Sequence, residues 1–309
     1  MIAILGGGAF GTSLACAVPG PIHLWGRGLE PGARSSARLP GVSLPAHVTV
    51  CATVKDAVAE AQIILVAVPM SALRKVLSDL PETSAPIIAC CKGIEPETGH
   101  GPVGIIRATR AGPAGILTGP SFAAEIAQGL PTALTLAMTE PNIAQNVQNL
   151  LSGPSLRIYQ SRDVRGAELG GALKNVLAIA AGAVIGAGLG QSAQAALLTR
   201  GFSELTRLAR AEGAEAQTLR GLSGFGDLML TAFSDQSRNY RYGIALGRGA
   251  RFDEDTTVEG VATARAVARL AHRHGLDLPV LSATQRLISG DLAIKDALDT
   301  LMSRPLKEE

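Results

Sequence analysis

One lysine lies inside a long apolar stretch of the sequence. Between Glu168 and Arg200 the chain carries a single charged side chain, Lys174. The run around it is rich in Ala, Leu and Ile and free of proline, which predicts a buried helix from Ala167 to Gly190. A lysine removed from water loses basicity and then suits proton transfer near neutral pH. The alternative is an exposed lysine at a helix end.

The helical neighbours of this lysine contain no carboxylate. They are Gly170, Gly171, Leu177 and Ala178, so no local ion pair accounts for Lys174. Small neighbours also leave room for another group to approach its ammonium. We therefore treat Lys174 as the candidate acid or base.

Two glycine-rich or polar turns further along the chain could supply its partners. In SGFGDLMLT, Asp227 follows Gly224 and Gly226, so the backbone can bend tightly and present a carboxylate. In SDQSRNYRYG, a hydroxyl, a guanidinium and an amide start a predicted helix together, as expected of a phosphate monoester site. Each turn alone is more often a capped surface turn. The clustered residues are Ser237, Arg238 and Asn239.

A glycine turn near the start of the chain favours a dinucleotide. The apolar run Ile2 to Leu5 is followed by GGGAFG and then by a helical pattern. In this context Gly6 permits a tight turn, Gly8 lets a pyrophosphate approach the backbone, and Gly11 lets the helix pack on the strand. The helix N-terminus adds amides and a positive dipole end. A purely structural turn is the alternative.

The residue after the second predicted strand bears on the choice of cofactor. That strand, Ile22 to Trp25, is followed by Gly26 and Arg27. NAD-preferring sites usually place an acid here, whereas Arg27 favours a 2′-phosphate. Glu30 keeps NAD possible. We predict NADP(H) as the preferred cofactor and NAD(H) as a possible one.

Two further candidates follow predicted strands. Lys92 comes directly after the run Pro86 to Cys91, at the edge where parallel sheets bind ligands. Ser121, in GPSFAAE, is predicted to cap the next helix, whose free amides could hold a ligand. A surface lysine and a plain helix start are the alternatives.

The elements that must position these residues fall into two groups. About eight strands, alternating with helices, are predicted before Asp163, and only helices after it. The fold class is therefore α/β, with an N-terminal Rossmann-type doubly wound sheet and a C-terminal all-α domain. We place the dinucleotide-binding domain at residues 1–163 and the helical domain at 164–309.

Composition excludes several other classes. The 309 residues are 47% hydrophobic and 17% charged, with a formal net charge of +2 and 3% aromatic residues, which is globular and unlike a nucleic-acid binder. No CxxC pair is present, the five histidines are scattered, and we assign no metal. MIAIL shows no secretory signal, and the 15-residue apolar run Val176 to Gly190 is too short to span a membrane. We expect a cytoplasmic protein.

Taken together, the motifs resemble one dehydrogenase family. They are GGGAFGTSLA, LWGR, CKGIEPETG, GPSFAAEIAQGLPTA, GALKNVLAIAAG, AALLTRGFSEL, GLSGFGDLMLT, SRN and VEGV, which cover nearly the whole chain in order. In this combination they resemble the bacterial type of NAD(P)-dependent glycerol-3-phosphate dehydrogenase. The resemblance implies a C-terminal domain like that of 6-phosphogluconate dehydrogenase, a homodimer, and reversible reduction of dihydroxyacetone phosphate to sn-glycerol 3-phosphate for phospholipid synthesis.

The resemblance also implies roles for particular residues. Lys174 matches the family's proton acceptor, and we add the hypothesis that Asp227 orients it while Arg238 and Asn239 hold the phosphate. Residues matching substrate positions, some shared with the cofactor, are Lys92, Gly119, Ser121, Asp227, Ser237, Arg238 and Asn239. Residues matching cofactor positions are Ala9, Phe10, Arg27, Ala123, Thr257 and Glu259, beside the glycines at 6, 8 and 11.

The chain departs from the family pattern in two places. Relatives more often show an Asp-Asn pair and a lysine where this chain has Gln191, Ser192 and Gln194, and a Cys-Thr pair where it has Ala232 and Phe233. These changes leave the chemistry intact and bear on the rim of the pocket. The competing interpretations are a related β-hydroxyacid or 6-phosphogluconate-type dehydrogenase and a non-catalytic nucleotide-sensing module.

Overall fold

A computed structural model describes residues 1–254 and 256–303 of the chain. Eight strands form one sheet, as predicted. They are β1 (Ile2–Leu5), β2 (Ile22–Trp25), β3 (Val48–Val50), β4 (Ile63–Val66), β5 (Ile87–Ala89), β6 (Ala114–Thr118), β7 (Thr132–Met138) and β8 (Leu156–Ser161). The helices between them are α1 (Ala9–Ala17), α2 (Val54–Val58), α3 (Leu73–Ser78), α4 (Pro102–Thr109), α5 (Ala123–Ala127) and α6 (Pro141–Leu151), with a 3₁₀ turn at Met70–Ala72.

The strand order is β3-β2-β1-β4-β5-β6-β7-β8, which is the doubly wound arrangement. The chain leaves β1 toward β2 on one side and returns to β4 on the other. This reversal places the turn after β1 at the crevice where open sheets bind ligands. All pairings are parallel except β6 with β7. The short helix α5 packs on α1, so the chain re-enters the sheet at the edge where β6 left it, and β7 runs antiparallel to β6.

Successive side chains on each strand point to opposite faces of the sheet, and helices bury both faces. Ile2 and Ile4 lie in one apolar cluster with helices α1 and α6. Ala3 and Leu5 lie in the cluster on the other face with α2, α3 and α4. The fully apolar strands are therefore held between two layers of helices.

After Ser161 every element in the described part of the chain is a helix or helical turn. They are α7 (Val164–Gly186), α8 (Gly190–Ala211), α9 (Ala216–Arg220), a π-helical turn (Leu222–Gly226), α10 (Asp227–Ala232), α11 (Arg238–Gly247), α12 (Glu259–Arg273), α13 (Pro279–Ser289) and α14 (Ile294–Met302). The division into domains at residue 163 stays a prediction, and residues 255 and 304–309 of the predicted helical domain lie outside the described residues.

Two local predictions were wrong. Ser121 does not cap a helix, because α5 begins at Ala123 with Phe122 at the cap position and no side-chain cap bond. Gly119 has a φ of +141°, and the chain stays non-helical beyond it. In the second half, Asp227 does not sit in a plain turn. It is the first residue of α10, a helix the glycine-rich sequence did not predict.

Helix α7 is the central element of the helical half. Of its 23 residues 20 are buried, and α8, α10, α11, α12 and α13 all contact it. Against α11 the two backbones touch: a Cβ on Gly182 would overlap the Tyr240 carbonyl, and one on Gly243 would overlap the Ile179 carbonyl. These glycines bring the start of α11 close to the middle of α7, where Lys174 lies.

The same helix spans Val164 to Gly186, whereas the prediction was Ala167 to Gly190. The expectation that its apolar run is too short to span a membrane was wrong. By length and composition alone it could cross a membrane, since its mean hydropathy over the best 18-residue window is 1.6. However, 89% of that window is buried inside the fold. Helix α7 is thus a core helix, and the basis for this conclusion is its burial rather than its length.

Candidate active site

Lys174 is buried, with 6% of its surface exposed. Its ammonium donates to Asp227 Oδ1 and, at 2.6 Å, to the Thr231 hydroxyl. Burial lowers the pKa of Lys174 to about 8; nearby Lys92 adds to that lowering, whereas Asp227 opposes it. The predicted burial and loss of basicity are confirmed. Its neighbours on α7 supply no ion pair, as the sequence indicated, and its partner Asp227 comes from 53 residues away on another helix.

Asp227 accepts a hydrogen bond from each of the two lysines of the site. It is 1% exposed, and its second oxygen accepts a hydrogen bond from Lys92 Nζ at 2.5 Å. The π-helical turn before it packs on α7 at Gly170, where a Cβ would lie 2.7 Å from the Ser223 carbonyl oxygen. The room predicted beside Lys174 is therefore used by the turn that delivers its carboxylate.

Lys92 connects the sheet to the helical half. It follows β5 at the carboxyl edge, as predicted, and donates to the Gly119 carbonyl at 3.1 Å as well as to Asp227. The Ser121 hydroxyl donates to the same carbonyl at 3.2 Å. Gly171 of α7 lets this edge of the sheet come close, since a Cβ there would lie 2.8 Å from Thr118 Oγ1. The structure thus brings Lys92, Gly119 and Ser121 together.

The start of α11 faces the same region. Ser237 is buried and caps the helix, its oxygen accepting from the Tyr240 amide at 3.2 Å. The Asn239 amide group donates to Asn175 Oδ1 at 3.0 Å, and its oxygen accepts from the Gly260 amide at 2.9 Å. Asn239 is thereby fixed against the residue next to Lys174. Arg238, the first helical residue, is exposed.

Glu259 completes the charged cluster from the start of α12. Burial raises its pKa, and the positive charges of Arg238, Lys92 and Lys174 act in the opposite direction. Three cations therefore surround two carboxylates, Asp227 and Glu259. This excess of positive charge at a helix N-terminus suits an anionic ligand. Thr257, two residues earlier, is exposed.

The glycine turn after β1 fits a dinucleotide. Gly6 has a φ of +134°, and a Cβ on Gly11 would overlap the Gly6 carbonyl oxygen, so both positions require glycine. A Cβ on Gly8 would meet nothing within 4 Å, which leaves open space beside the first amides of α1. The first turn of that helix carries no acidic residue and no side-chain cap. An anionic pyrophosphate is therefore compatible with this helix start.

The remaining predicted cofactor residues lie near this edge of the sheet. Ala9 and Phe10 open α1 and are partly exposed, and Ala123 opens α5, which packs on α1. Arg27 and Glu30 are both exposed beyond β2. Their positions permit contact with the ribose end of a dinucleotide.

The cysteine thiols are not part of this site. Cys51, Cys90 and Cys91 are buried, Cys16 is partly exposed, and burial raises the pKa of Cys90 to about 12. Residues 1–254 and 256–303 contain no group of three His, Cys, Asp or Glu side chains that could hold a metal ion.

Sequence reasoning missed two polar residues around the lysine. Thr231 lies four residues after Asp227, a spacing that puts both on one face once α10 is known to be a helix. Asn175, next to Lys174, orients Asn239. It also missed the contact between two turns, where a Cβ on Gly26 would overlap the Gly7 amide.

Comparison with known proteins agrees with this geometry. A family model described as the NAD-dependent glycerol-3-phosphate dehydrogenase N-terminus matches residues 1–144, and the model for the C-terminus of the same family matches residues 163–299. A glycerol-3-phosphate dehydrogenase [NAD(P)+] of Cereibacter sphaeroides is 54% identical over the full length of both chains. One from Roseobacter denitrificans is 51% identical, covering 100% of this chain and 99% of its own.

Among solved structures, the crystal structure of a glycerol-3-phosphate dehydrogenase from Coxiella burnetii is similar throughout. It has a TM-score of 0.90 and 32% sequence identity, and the match covers 98% of each chain. The predicted fold class, a doubly wound sheet followed by a helical half, is confirmed by this match and by the strand order.

Proposed function

This chain belongs to the NAD-dependent glycerol-3-phosphate dehydrogenase family, and we propose that it catalyses the reversible reduction of dihydroxyacetone phosphate to sn-glycerol 3-phosphate. One observation carries the proposal. A buried lysine, with its pKa lowered to about 8, lies at the carboxyl edge of the dinucleotide-binding sheet beside a cluster suited to a phosphate.

Lys174 moves the proton in this proposal. In the direction of reduction its ammonium donates a proton to the carbonyl oxygen of the ketone, and in oxidation the neutral amine accepts it. Asp227 and Thr231 hold the ammonium from one side, so that the third N–H is available to the substrate oxygen. A pKa near 8 lets both protonation states exist at physiological pH.

In this proposal the residues around Lys174 bind the substrate. Arg238 supplies a guanidinium for the phosphate, and Asn239, fixed by Asn175, is held beside it. Ser237 can donate its hydroxyl while its oxygen accepts from the helix. On the sheet side, Lys92, Gly119 and Ser121 form one hydrogen-bonded unit that can face the hydroxyl end of the substrate.

NADPH or NADH supplies the hydride when bound. Gly6, Gly8 and Gly11, with the amides of Ala9 and Phe10, would hold its pyrophosphate. Contacts from the helical half would come from residues that the family resemblance assigns to the cofactor. These are Arg238, Thr257 and Glu259, with Lys92 and Ala123 on the sheet side. Arg27 makes NADP(H) the preferred cofactor, because it offers a cation to a 2′-phosphate.

The broader setting is part of the same proposal. Residues 1–163 form the dinucleotide-binding domain, residues 164–309 form the helical substrate and catalytic domain, and the protein acts as a cytoplasmic homodimer that supplies phospholipid synthesis. Its molar mass in solution, measured by light scattering, tests the dimer.

Steady-state kinetics tests the function. NADPH and NADH are each offered with dihydroxyacetone phosphate, and consumption of the reduced cofactor is followed by absorbance. We expect turnover with both, and a higher kcat/KM for NADPH. A panel of β-hydroxyacids, 6-phosphogluconate and glycerol 3-phosphate, tested with the oxidised cofactors, separates the related dehydrogenases. Turnover with none of these substrates would favour a nucleotide-sensing module instead.

A further inference from the structure

Helix α10 carries two hydrogen-bond partners of Lys174 and so sets their positions. It spans only Asp227 to Ala232, and both Asp227 and Thr231 contact the Lys174 ammonium. The segment before it is a π-helical turn containing Gly224 and Gly226. These glycines give the backbone before α10 more conformational freedom than other residues would. The position of the carboxylate therefore depends on what fixes the far end of α10.

A buried glutamine fixes that end. Gln194, in the first turns of α8, is 2% exposed, and its Nε2 donates to the Ala232 carbonyl at 3.0 Å. The last carbonyls of a helix have no partner within the helix, so this amide satisfies a group that would otherwise stay unpaired in the interior. Ala232 directly follows Thr231, and the bond ties α10 to the neighbouring long helix.

We propose that Gln194 is a positioning residue for the reaction: through the Ala232 carbonyl it holds α10 so that Asp227 and Thr231 meet Lys174. Gln194 touches neither substrate nor cofactor in this role. It occupies a position where the family resemblance more often shows a lysine, which is also a hydrogen-bond donor of sufficient length. The residue at this position needs to donate a hydrogen bond, and it need not be an amide. This inference rests on the proposed function.

The consequence is electrostatic as well as geometric. The charged groups that face Lys174 are Asp227 and Lys92, with Glu259 and Arg238 further out. Of these, Asp227 is the group on the segment that Gln194 holds. If α10 shifts, the carboxylate moves away from the ammonium while Lys92 and the buried surroundings remain. The pKa of Lys174 then falls, and the proton donor is lost at a lower pH.

The test compares Gln194→Ala with Gln217→Ala, an exposed glutamine on α9. We expect Gln194→Ala to lower kcat/KM for dihydroxyacetone phosphate by about tenfold to a hundredfold, as for a slightly misplaced catalytic group. The Kd for NADPH, measured by fluorescence, should stay unchanged. The pH at which the reduction rate declines should move to lower values. Gln217→Ala should match the wild type in all three.

Two variants of similar size guard against simple unfolding. Gln194→Met removes the donor without adding charge and should behave like the alanine variant, whereas Gln194→Lys keeps a donor and should retain most of the activity. The pKa of Lys174, followed by NMR on protein carrying isotope-labelled lysine, gives a readout that needs no turnover. It should fall in Gln194→Ala and Gln194→Met.

The outcomes are distinct. If Gln194→Ala and Gln194→Met keep the wild-type pKa of Lys174 and the wild-type pH profile, the inference is overturned, even if their thermal stability falls. If the wild type does not reduce dihydroxyacetone phosphate, the proposed function fails. In that case the NMR comparison still decides whether Gln194 sets the environment of Lys174.

Discussion

Replacing Asp227 by Asn removes the carboxylate that holds both lysines. The substitution is nearly isosteric, so its main effect is on charge. A carboxylate within hydrogen-bond distance shifts a neighbouring pKa by about 1 to 3 units, and without it Lys92 and Lys174 repel each other. We therefore expect the pKa of Lys174 to fall from about 8 by about 2 units.

The expected rate loss follows from the protonated fraction. At about pH 7.5 a lysine of pKa about 8 is about three-quarters protonated, whereas one of pKa about 6 is about 3% protonated. Reduction of dihydroxyacetone phosphate needs the protonated lysine, so Asp227→Asn should lose about 25-fold in kcat at that pH. The sign is fixed: activity in this direction is present below the pKa of Lys174 and lost above it.

The assay is the initial rate of NADPH consumption at saturating substrate, measured from about pH 6 to about pH 9. The wild-type rate should decline through about pH 8, and the variant should decline about 2 units lower while recovering toward wild type in acid. Asp235→Asn, an exposed carboxylate of the helical half, is the control. A variant whose rate still declines near pH 8, however slow it is, would refute the electrostatic reasoning.

Three further predictions concern the cofactor site and the fold. Gly8→Ala should weaken NADPH binding, measured by fluorescence titration, with little change in melting temperature, since its Cβ would meet no protein atom within 4 Å. Gly11→Ala should unfold more easily, because its Cβ would overlap the Gly6 carbonyl. Arg27→Glu should shift the ratio of kcat/KM from NADPH toward NADH, and an unchanged ratio would remove Arg27 from cofactor selection. Glu204→Gln should lose about 1–3 kcal/mol in urea unfolding, because Glu204 accepts two amides in the first turn of α13 at 2.9 and 3.0 Å; a loss below that range would mean that these bonds contribute little.

Much of the fold was predictable because apolar runs and glycine turns are local signals. Strands β1 and β2 have the predicted bounds, since each is a short, mostly apolar run that ends at a glycine. The antiparallel direction of β7 was not predictable, because it depends on where α5 packs and not on the strand's own residues. Helix α10 was missed for a related reason: glycines before Asp227 indicate a turn, and the π-helical geometry appears only when the segment packs on α7.

The candidate site divides in the same way. Lys174 could be found from the sequence because a lone charge in an apolar helix is a local feature. Its partner could not be assigned from local spacing, since Asp227 reaches it from a separate helix and shares its carboxylate with Lys92 from the sheet. The glycines beside Lys174 indicated room for another group, and the glycine turn before Asp227 was a candidate to supply it. Contacts such as those of Thr231 and Gln194 needed the structure.

The most direct test of the central claim is the turnover of Lys174→Ala in both directions, with dihydroxyacetone phosphate and NADPH and with glycerol 3-phosphate and NADP. Since Lys174 is the proton donor and acceptor, both rates should fall by about 10²- to 10⁴-fold, while the Kd for NADPH stays at the wild-type value. A variant that keeps near-normal turnover in either direction would contradict the account.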